Sequence, residues 1–326
     1  MAKQALRFLR QKIRSRIVRS GLPGGPPYGS DFALGVPFAY EPDLSENPRI
    51  GVVLHLFYPE LAAEFAQVLL NMDLTISVMV TTDTEEKREK ILESFAQHEL
   101  HNVEVMRVEN RGRDAGALLT GFRNRYHDFD LLLVLHSKVT PQASIGAGWR
   151  QSLVNGLVGS GAVVRSILAI FEAEPQVGLV FCQHYEPIRK WTGWEMNFPA
   201  AQRVASNWGL QLNRRGELDF PSGAMFWIRP AALSPILELG LKSDDFPLGS
   251  ETFDGSVSHA IERLYALAAE YVGYSWYKVA APECYSYRET ICTPRSEAEL
   301  HRFLTDHRRE LMTSMVRNPR RTGRGL

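Results

Sequence analysis

The chain has 326 residues, of which 44% are hydrophobic, so it can bury a sizeable core as one large α/β domain or two small ones. Lysine plus arginine equals aspartate plus glutamate at 37 each, so no net field attracts nucleic acid, and any basic character is local. The three widely spaced cysteines, Cys182, Cys284 and Cys292, form no zinc motif or disulfide framework, which favours a reducing, cytoplasmic setting.

The first 20 residues predict a basic amphipathic helix. They carry seven lysines and arginines and no acid, and Leu6, Leu9, Ile13 and Ile17 recur at helical spacing. Such a helix can lie on an anionic membrane surface, where each cation adds about 1 kcal/mol of attraction, or it can be a solvated terminus. No apolar run has the length of a transmembrane span or the character of a signal peptide. Residues 21–48, which begin GLPGGPPYG, are predicted to be a linker.

From residue 49 the chain alternates between strands and helices. Predicted strands cover residues 50–56, 75–81, 103–108 and 130–135, and predicted helices cover residues 60–71, 85–97 and 115–126. Three successive strand-helix units indicate a parallel sheet and one nucleotide-binding half, which we place at residues 49–140. Residues 141–292 are predicted to form the second, acceptor-binding and catalytic half of the same domain, and residues 293–326 a C-terminal helix with a basic tail.

Two polar clusters follow strands of the first half. The third strand is followed by Asn110, Arg111, Gly112, Arg113 and Asp114, and the fourth by His136 and Lys138. The fourth strand is apolar without alternation, which is typical of a central parallel strand. Because ligands of open α/β sheets bind beyond the carboxyl ends of such strands, we expect the two clusters to converge on one site.

The second half supplies candidates for sugar contact. A predicted strand at residues 177–182 delivers His184 to the same edge of the sheet if that strand is parallel. Trp191, Trp194 and Trp208 lie among polar residues, and an aromatic face beside hydrogen-bonding groups suits a sugar ring. Tryptophan is more often a core residue, so the alternative for each is packing. We take Trp194 and His184 as the acceptor-binding candidates.

Four motifs in series carry a family resemblance: N-R-G-R-D-A-G at 110–116, V-L-H-S-K at 134–138, P-S-G-A-M-F-W-I-R-P at 221–230 and F-D-G-S-V-S-H-A-I-E-R at 253–263. The first resembles the turn that lines the nucleotide-sugar pocket of GT-A glycosyltransferases. Together, over about residues 49–287, they look like the rhamnan synthesis F family of bacterial surface-polysaccharide proteins. The resemblance implies an α/β fold with a GT-A-like, Rossmann-type, mostly parallel sheet flanked by helices in a single main domain.

The resemblance also implies a site for a nucleotide-sugar donor. Gly112 and Gly116 would let the backbone approach a ligand, and Arg111 and Arg113 offer planar forks suited to a diphosphate. Asp114 would bond a sugar hydroxyl or simply cap its helix, and Arg113 could instead belong to a buried structural ion pair. The predicted donor-binding residues are Asn110, Arg111, Gly112, Arg113, Asp114, His136, Lys138, Ser222 and Gly223.

The segment after the fourth strand departs from the general GT-A pattern. That pattern has Asp-x-Asp, whose carboxylates hold a divalent ion against the diphosphate, whereas this chain has His136, Ser137 and Lys138. A lysine ammonium can neutralise phosphate oxygens directly. We therefore predict no required cofactor, no metal-ligating residues and weak or absent dependence on divalent metal.

Asp254 and His259 are the predicted catalytic residues. Inverting glycosyl transfer needs a carboxylate or a histidine to take the proton of the acceptor hydroxyl. Asp254 is the first choice because acids in loops face ligands more readily than acids in helices, although it would be purely structural as a helix cap. His259 is the second choice, and it shares a predicted helix face with Glu262 and Arg263.

The sequence thus predicts a glycosyltransferase that moves rhamnose or a hexose from dTDP-rhamnose or a UDP-hexose to a growing, lipid-linked bacterial surface polysaccharide of O-antigen or rhamnan type. The expected setting is the cytoplasm or the inner face of the plasma membrane, with the basic termini on anionic lipid and no nucleic acid partner. One alternative is a non-catalytic carbohydrate- or nucleotide-binding scaffold of a polysaccharide assembly complex. Another is a phosphate-ester hydrolase that uses His136, His184 and Asp254 around a metal.

Overall fold

The computed structural model describes residues 31–45, 47–137, 143–249, 254–285 and 288–317. Within these ranges the strands are β1 Ala33–Gly35, β2 Ile50–His55, β3 Ile76–Thr82, β4 Val103–Arg107, β5 Leu131–His136, β6 Val177–Cys182, β7 Phe226–Ile228, β8 Ser275–Ala280 and β9 Ile291–Cys292. They form one sheet in the order β4-β3-β2-β5-β7-β6-β8-β1-β9. Strand β7 is antiparallel to β5 and β6, and the other pairings are parallel.

Helices cover both faces of the sheet, which explains why the central strands are apolar without alternation. The helices are α1 Ala62–Leu69, α2 Glu85–Gln97, α3 Arg113–Thr120, α4 Ala143–Val158, α5 Gly161–Ala173, α6 Phe198–Ser206, α7 Pro230–Leu237, α8 Val257–Glu262, α9 Tyr265–Tyr271, α10 Glu297–Asp306 and α11 Leu311–Met315. Buried side chains of α1, α2, α4, α5 and α10 form one core against the first face. Those of α3, α6, α7, α8, α9 and α11 form a second core against the other face.

The order of the strands reverses between β2 and β5. From β2 the chain moves outward through β3 to β4, with α1 and α2 packed on the first face. The chain then passes through α3, which packs on the other face, and returns to the sheet as β5 on the opposite side of β2. In α/β sheets the crevice at such a switch point is where ligands bind. The register places His55, the last residue of β2, beside His136, the last residue of β5.

The predicted α/β class is confirmed: the chain forms one main domain with a mostly parallel sheet between helices. The main difference from the sequence prediction is that a helix predicted to be long is interrupted. The helix predicted at 115–126 is α3 followed by a 3₁₀ helix at Arg123–Asp128, because the chain turns at Gly121. Two helices, α4 and α5, follow β5, and Ser160 caps the second of them by accepting a hydrogen bond from the Val163 amide.

The prediction of a linker at residues 21–48 is wrong for the three residues that form β1. Residues Ala33–Gly35 pair in parallel with β8 on one side and β9 on the other. The side chain of Leu34 is fully buried in the first core. No sequence pattern indicated this strand, because three residues are too few to show a period. The predicted N-terminal helix, the start of the linker and the basic tail beyond residue 317 lie outside the described residues.

In the part of the chain that the structure describes, no single helix is long and apolar enough to cross a membrane. The helical segments Gly148–Val158 and Gly161–Ala173 are long and apolar enough only when taken together, and they are bent by 63° at the break between them.

Candidate functional site

Two histidines stand side by side at the switch point. The His136 Nε2 atom lies 2.5 Å from the carbonyl oxygen of Gly223, so this nitrogen carries a proton and donates it. The His55 Nδ1 atom lies 3.0 Å from Thr81 Oγ1. Burial lowers the pKa of His55 to about 4, and the charge of Asp114 opposes this shift while that of His136 adds to it. His55 is therefore an uncharged imidazole near neutral pH.

The turn between β4 and α3 is shaped by two glycines. Gly112 has a φ of +68°, and a Cβ there would lie 2.5 Å from the ring of Phe246. A Cβ at Gly116 would lie 1.9 Å from the carbonyl oxygen of Arg111. The amide of Gly112 donates to the carbonyl of Pro247 at 2.9 Å. Both glycines thus allow close packing within the chain, and this packing accounts for them without a ligand.

Asp114 projects from the first turn of α3 towards the histidines. Its Oδ2 atom lies 4.0 Å from His136 Nε2, and 31% of its side chain is exposed. The N-cap residue of α3 is Gly112, so the alternative role of Asp114 as a helix cap is wrong. A carboxylate in the first turn is still favoured by the helix dipole. Asp114 is the predicted donor-site residue that the structure brings next to His136.

The two arginines of this turn differ in their surroundings. The Arg111 Nη1 atom donates to the carbonyl of Phe246 at 3.1 Å, and its Nε atom lies 3.3 Å from Glu109. Arg113 is exposed, so the alternative of a buried ion pair is wrong for it. The carbonyl of Asn110 accepts from the amide of Gly249 at 2.7 Å, which ties the turn to the loop that follows residue 245. Lys138 lies outside the described residues.

A tight turn at residues 221–224 enters β7 at the same edge of the sheet. Gly223 has a φ of +94°, and a Cβ there would lie 2.7 Å from a methyl group of Leu153. The amide of Gly223 donates to Glu262 Oε1 at 2.8 Å, and its carbonyl accepts from His136. Ser222 Oγ lies 2.8 Å from His184 Nδ1. Three side chains from three different elements therefore hold this turn in place.

The two predicted acceptor-binding residues are buried. His184 is 3% exposed, and its Nε2 atom lies 3.1 Å from Asp219 Oδ1. Trp194 is 4% exposed and packs edge-to-face on Phe198, with ring centroids 5.3 Å apart. Trp191 is the more accessible tryptophan at 37% exposure. Its indole ring, with Lys190 Nζ 4.2 Å from the centroid, is better placed to meet a sugar than the indole of Trp194.

Asp254 and His259, the predicted catalytic residues, have local partners. Asp254 is exposed, and its two oxygens accept hydrogen bonds from Asn197 Nδ2 at 2.5 Å and from the Met196 amide at 3.0 Å. The cap of α8 is Ser256, so the alternative role of Asp254 as that cap is wrong. The Nδ1 atom of His259 lies 3.0 Å from Ser256 Oγ.

A buried group of charged residues lies behind the turn that enters β7. The ammonium of Lys278 contacts both Asp31 and Asp219, and lies 2.6 Å from the latter. Arg189 and Arg309 each add an ion pair to Asp31. Burial alone would raise the pKa of Asp31, but Lys278 and Arg189 hold it well below its usual range. Sequence reasoning missed this group because its members are scattered over the chain.

Within the described ranges, the arrangement required by a metal-dependent hydrolase is not found. His136 contacts Gly223, His184 contacts Asp219, and the carboxylate of Asp254 is taken by Asn197 and the amide of Met196. Among the residues that the structure describes, no three histidine, cysteine, aspartate or glutamate side chains are placed to bind one metal ion.

Comparison with known proteins identifies the family. The sequence model of rhamnan synthesis protein F matches residues 36–274. The chain belongs to the rhamnan synthesis protein F family. It is 31% identical over 233 residues to the uncharacterized protein WxcX of Xanthomonas campestris pv. campestris strain B100, and 30% identical to WxcX of a second strain of that pathovar. The match covers 70% of this chain and 32% of each relative, so the chain spans about a third of the length of the curated relatives it matches.

The family takes its name from the synthesis of rhamnan, a polysaccharide. The matched residues contain β2 to β7 and the switch point between β2 and β5. They also contain Asp114, His136, the turn that enters β7 and the whole of α8.

Proposed function

We propose that the protein is a glycosyltransferase that moves a sugar from a nucleotide-sugar donor to a growing bacterial surface polysaccharide. The observation that carries the proposal is the position of Asp114 and His136, which lie 4.0 Å apart at the switch point of the sheet. A crevice of this kind binds nucleotides in other α/β folds. Family membership supports polysaccharide as the product class.

The donor would lie across the carboxyl ends of β2 and β5. Asp114 would accept a hydrogen bond from a hydroxyl of the donor, and His136, held by the carbonyl of Gly223, would fix the inner wall of the crevice. Arg111, Arg113 and Lys138 would stabilise the diphosphate that leaves, because guanidinium and ammonium groups neutralise phosphate oxygens. With His136 and Lys138 in place of the Asp-x-Asp carboxylates, the reaction would depend weakly or not at all on a divalent metal.

The acceptor would approach over the ends of β7 and β6. We propose the exposed ring of Trp191 as a stacking surface for its sugar, in place of the buried Trp194. Asp254 and His259 remain candidates for the base that removes the proton of the acceptor. A lipid-linked acceptor and contact of the basic termini with anionic lipid belong to the same proposal, with dTDP-rhamnose or a UDP-hexose as the donor.

Thermal unfolding with and without nucleotide sugars tests the donor site. dTDP-rhamnose and UDP-hexoses, each with and without chelator, would be compared on wild type, Asp114→Asn and Asp43→Asn, in which an exposed aspartate outside the site is changed. A ligand at a hundredfold excess over its Kd stabilises the fold by about 2.7 kcal/mol. We expect one donor to raise the unfolding temperature of wild type and Asp43→Asn in chelator, and to raise that of Asp114→Asn less.

Two results would contradict this proposal. Equal shifts in wild type and Asp114→Asn would place the donor elsewhere on the molecule. Binding of a nucleotide sugar without release of nucleoside diphosphate in the presence of glycan acceptors would favour a non-catalytic scaffold, an alternative consistent with the missing Asp-x-Asp.

A further inference from the structure

Glu262 is a carboxylate at the inner end of the site that the predicted catalytic pair does not include. It is the last residue of α8, and 18% of its side chain is exposed. Its Oε1 atom accepts the amide hydrogen of Gly223 at 2.8 Å. Its Oε2 atom lies 3.8 Å from Arg263 Nη1, which is beyond hydrogen-bond distance. One oxygen of Glu262 thus orients the side chain, and the described residues leave the other without a hydrogen bond.

A single glycine separates Glu262 from the proposed donor site. The amide of Gly223 is bonded to Glu262, while its carbonyl is bonded to His136, which lies 4.0 Å from Asp114. The positive φ of +94° at Gly223 lets the turn present both groups to these two side chains. Glu262 on α8 and Asp114 on α3 are therefore connected through Gly223 and His136.

The hydroxyl of Tyr265 is a second sign that a ligand binds beside these residues. Tyr265 is 1% exposed, and its hydroxyl has no hydrogen-bond partner among the described residues. Burial raises its pKa, and the charges of Asp114 and Glu262 raise it further. A buried hydroxyl without a partner costs free energy unless a ligand or water completes it. The three groups therefore suit a ligand rich in hydroxyls.

Glu262 is better placed to take a proton than the two residues that the sequence favoured. Both oxygens of Asp254 already accept hydrogen bonds, from Asn197 and from the Met196 amide. The Nδ1 atom of His259 is engaged by Ser256. Glu262 by contrast is oriented through one oxygen only.

We propose that Glu262 is the general base of the glycosyl transfer, a role that rests on the proposed function. Its Oε2 atom accepts the proton of the acceptor hydroxyl as the O–H bond breaks. The acceptor oxygen then forms a bond to the anomeric carbon of the donor sugar. The bond from that carbon to the diphosphate breaks, and the electron pair leaves with the diphosphate. Atoms and charge balance without a further reactant.

Glu262→Gln separates the chemical role from a structural one. The glutamine carbonyl can still accept the amide hydrogen of Gly223, so a structural role predicts unchanged turnover, whereas glutamine cannot take a proton at neutral pH. Glu238→Gln, at the exposed C-cap of α7, makes the same chemical change away from the turn. The assay is release of nucleoside diphosphate from dTDP-rhamnose or UDP-hexoses, with alkyl rhamnosides and alkyl hexosides as acceptors.

We expect Glu262→Gln to lower kcat by roughly 10²–10⁴-fold, the usual contribution of a general base. Its unfolding temperature and the thermal shift caused by the donor should match those of wild type and Glu238→Gln. Wild-type kcat in Glu262→Gln would overturn the assignment and leave the proposed function intact. A large loss in Asp254→Asn with none in Glu262→Gln would transfer the role to Asp254. No release by wild type with any of these donors would overturn both proposals.

Discussion

His55 illustrates how a single side chain acquires its properties from the sheet. It ends β2 beside His136, and it is partly buried near Asp114 and Asp83. Removal from water disfavours the charged imidazole more than the two carboxylates favour it, so its pKa falls from 6.5 to about 4. The inner wall of the crevice is therefore uncharged at this position near neutral pH.

The shifted pKa of His55 makes the stability of the fold depend on pH. Between pH 6.5 and about 4 the unfolded chain binds a proton at His55 that the folded chain does not. The free energy of unfolding therefore carries this contribution in full above pH 6.5 and loses it as pH falls towards 4. A shift of this size corresponds to at most about 3 kcal/mol. We expect His55→Asn, which cannot be protonated there, to remove that part of the acid destabilisation.

Denaturant unfolding of wild type and His55→Asn at several pH values between 4 and 7 measures this difference. His127→Asn is the matched control, because 77% of the His127 side chain is exposed. Its stability should follow that of wild type throughout the range. Parallel curves for wild type and His55→Asn would show that the folded and unfolded chains protonate His55 at the same pH, and thus that folding does not lower its pKa.

At the scale of single elements, the connection from β4 into α3 determines where Asp114 lies. Gly116 sits in the first half of α3, directly against the carbonyl of Arg111 in the preceding turn. The helix can only start so close to that turn because no side chain intervenes. The distance from Asp114 to His136 therefore depends on a glycine that contacts neither residue of the pair.

Gly116→Ala tests this dependence. The new methyl would lie 1.9 Å from the backbone carbonyl of Arg111, so the turn has to move. Overpacking of this kind costs roughly 1–3 kcal/mol, and we expect the free energy of unfolding to fall by that amount. Gly161→Ala is the control in the first turn of α5, where the nearest atom to the new methyl is 3.3 Å away. Denaturant unfolding should give nearly wild-type stability for Gly161→Ala, and equal stability of the two variants would contradict the argument.

The elements that the sequence predicted well are those that depend on local patterns. β5 was recognisable because six consecutive residues are buried between two helical layers, and α2 because Thr84 caps it before two acids. β1 was not recognisable, because a strand of three residues shows no period. The antiparallel direction of β7 was not recognisable either, because the direction of a strand depends on distant partners.

The residues of the candidate site also differ in whether a local sequence pattern could predict their positions. Asp114 lies shortly after β4 and His136 ends β5, so the sheet itself brings them together, as the sequence predicted. The burial of Trp194 and the partners of Asp254 depend on helices α6 and α8, whose packing no local pattern specifies. Glu262 was visible only as a helix residue, since its contact with Gly223 joins positions 39 residues apart.

For the whole molecule, the group of buried charges connects the edges of the domain to its centre. Asp31 precedes β1, Lys278 lies in β8, Asp219 precedes the turn into β7, and Arg309 lies between α10 and α11. The ions in this group are stabilised largely by one another, because burial removes much of their hydration. Removal of one partner therefore leaves an uncompensated charge next to the residues that position Ser222.

A chain that starts at Arg49 removes both β1 and Asp31. It leaves Lys278 and Arg189 without one of their carboxylates, and loss of a partner from a buried ion pair costs about 3–5 kcal/mol. It also exposes the edge of β8, which pairs with β1 in the intact chain. Since small domains are stable by only about 5–15 kcal/mol, we expect this truncated chain to be insoluble or to unfold without a cooperative transition.

A chain that starts at Ser30 is the matched control, because it removes the basic N-terminal segment and keeps Asp31 and β1. Circular dichroism during heating should give this chain an unfolding midpoint close to that of the full chain. If the chain from Arg49 unfolded cooperatively at that same temperature, β1 and Asp31 would contribute nothing measurable to the fold. If it fails as expected, lipid binding by the N-terminal segment has to be measured against the chain from Ser30, because loss of binding by an unfolded chain would carry no information about the membrane.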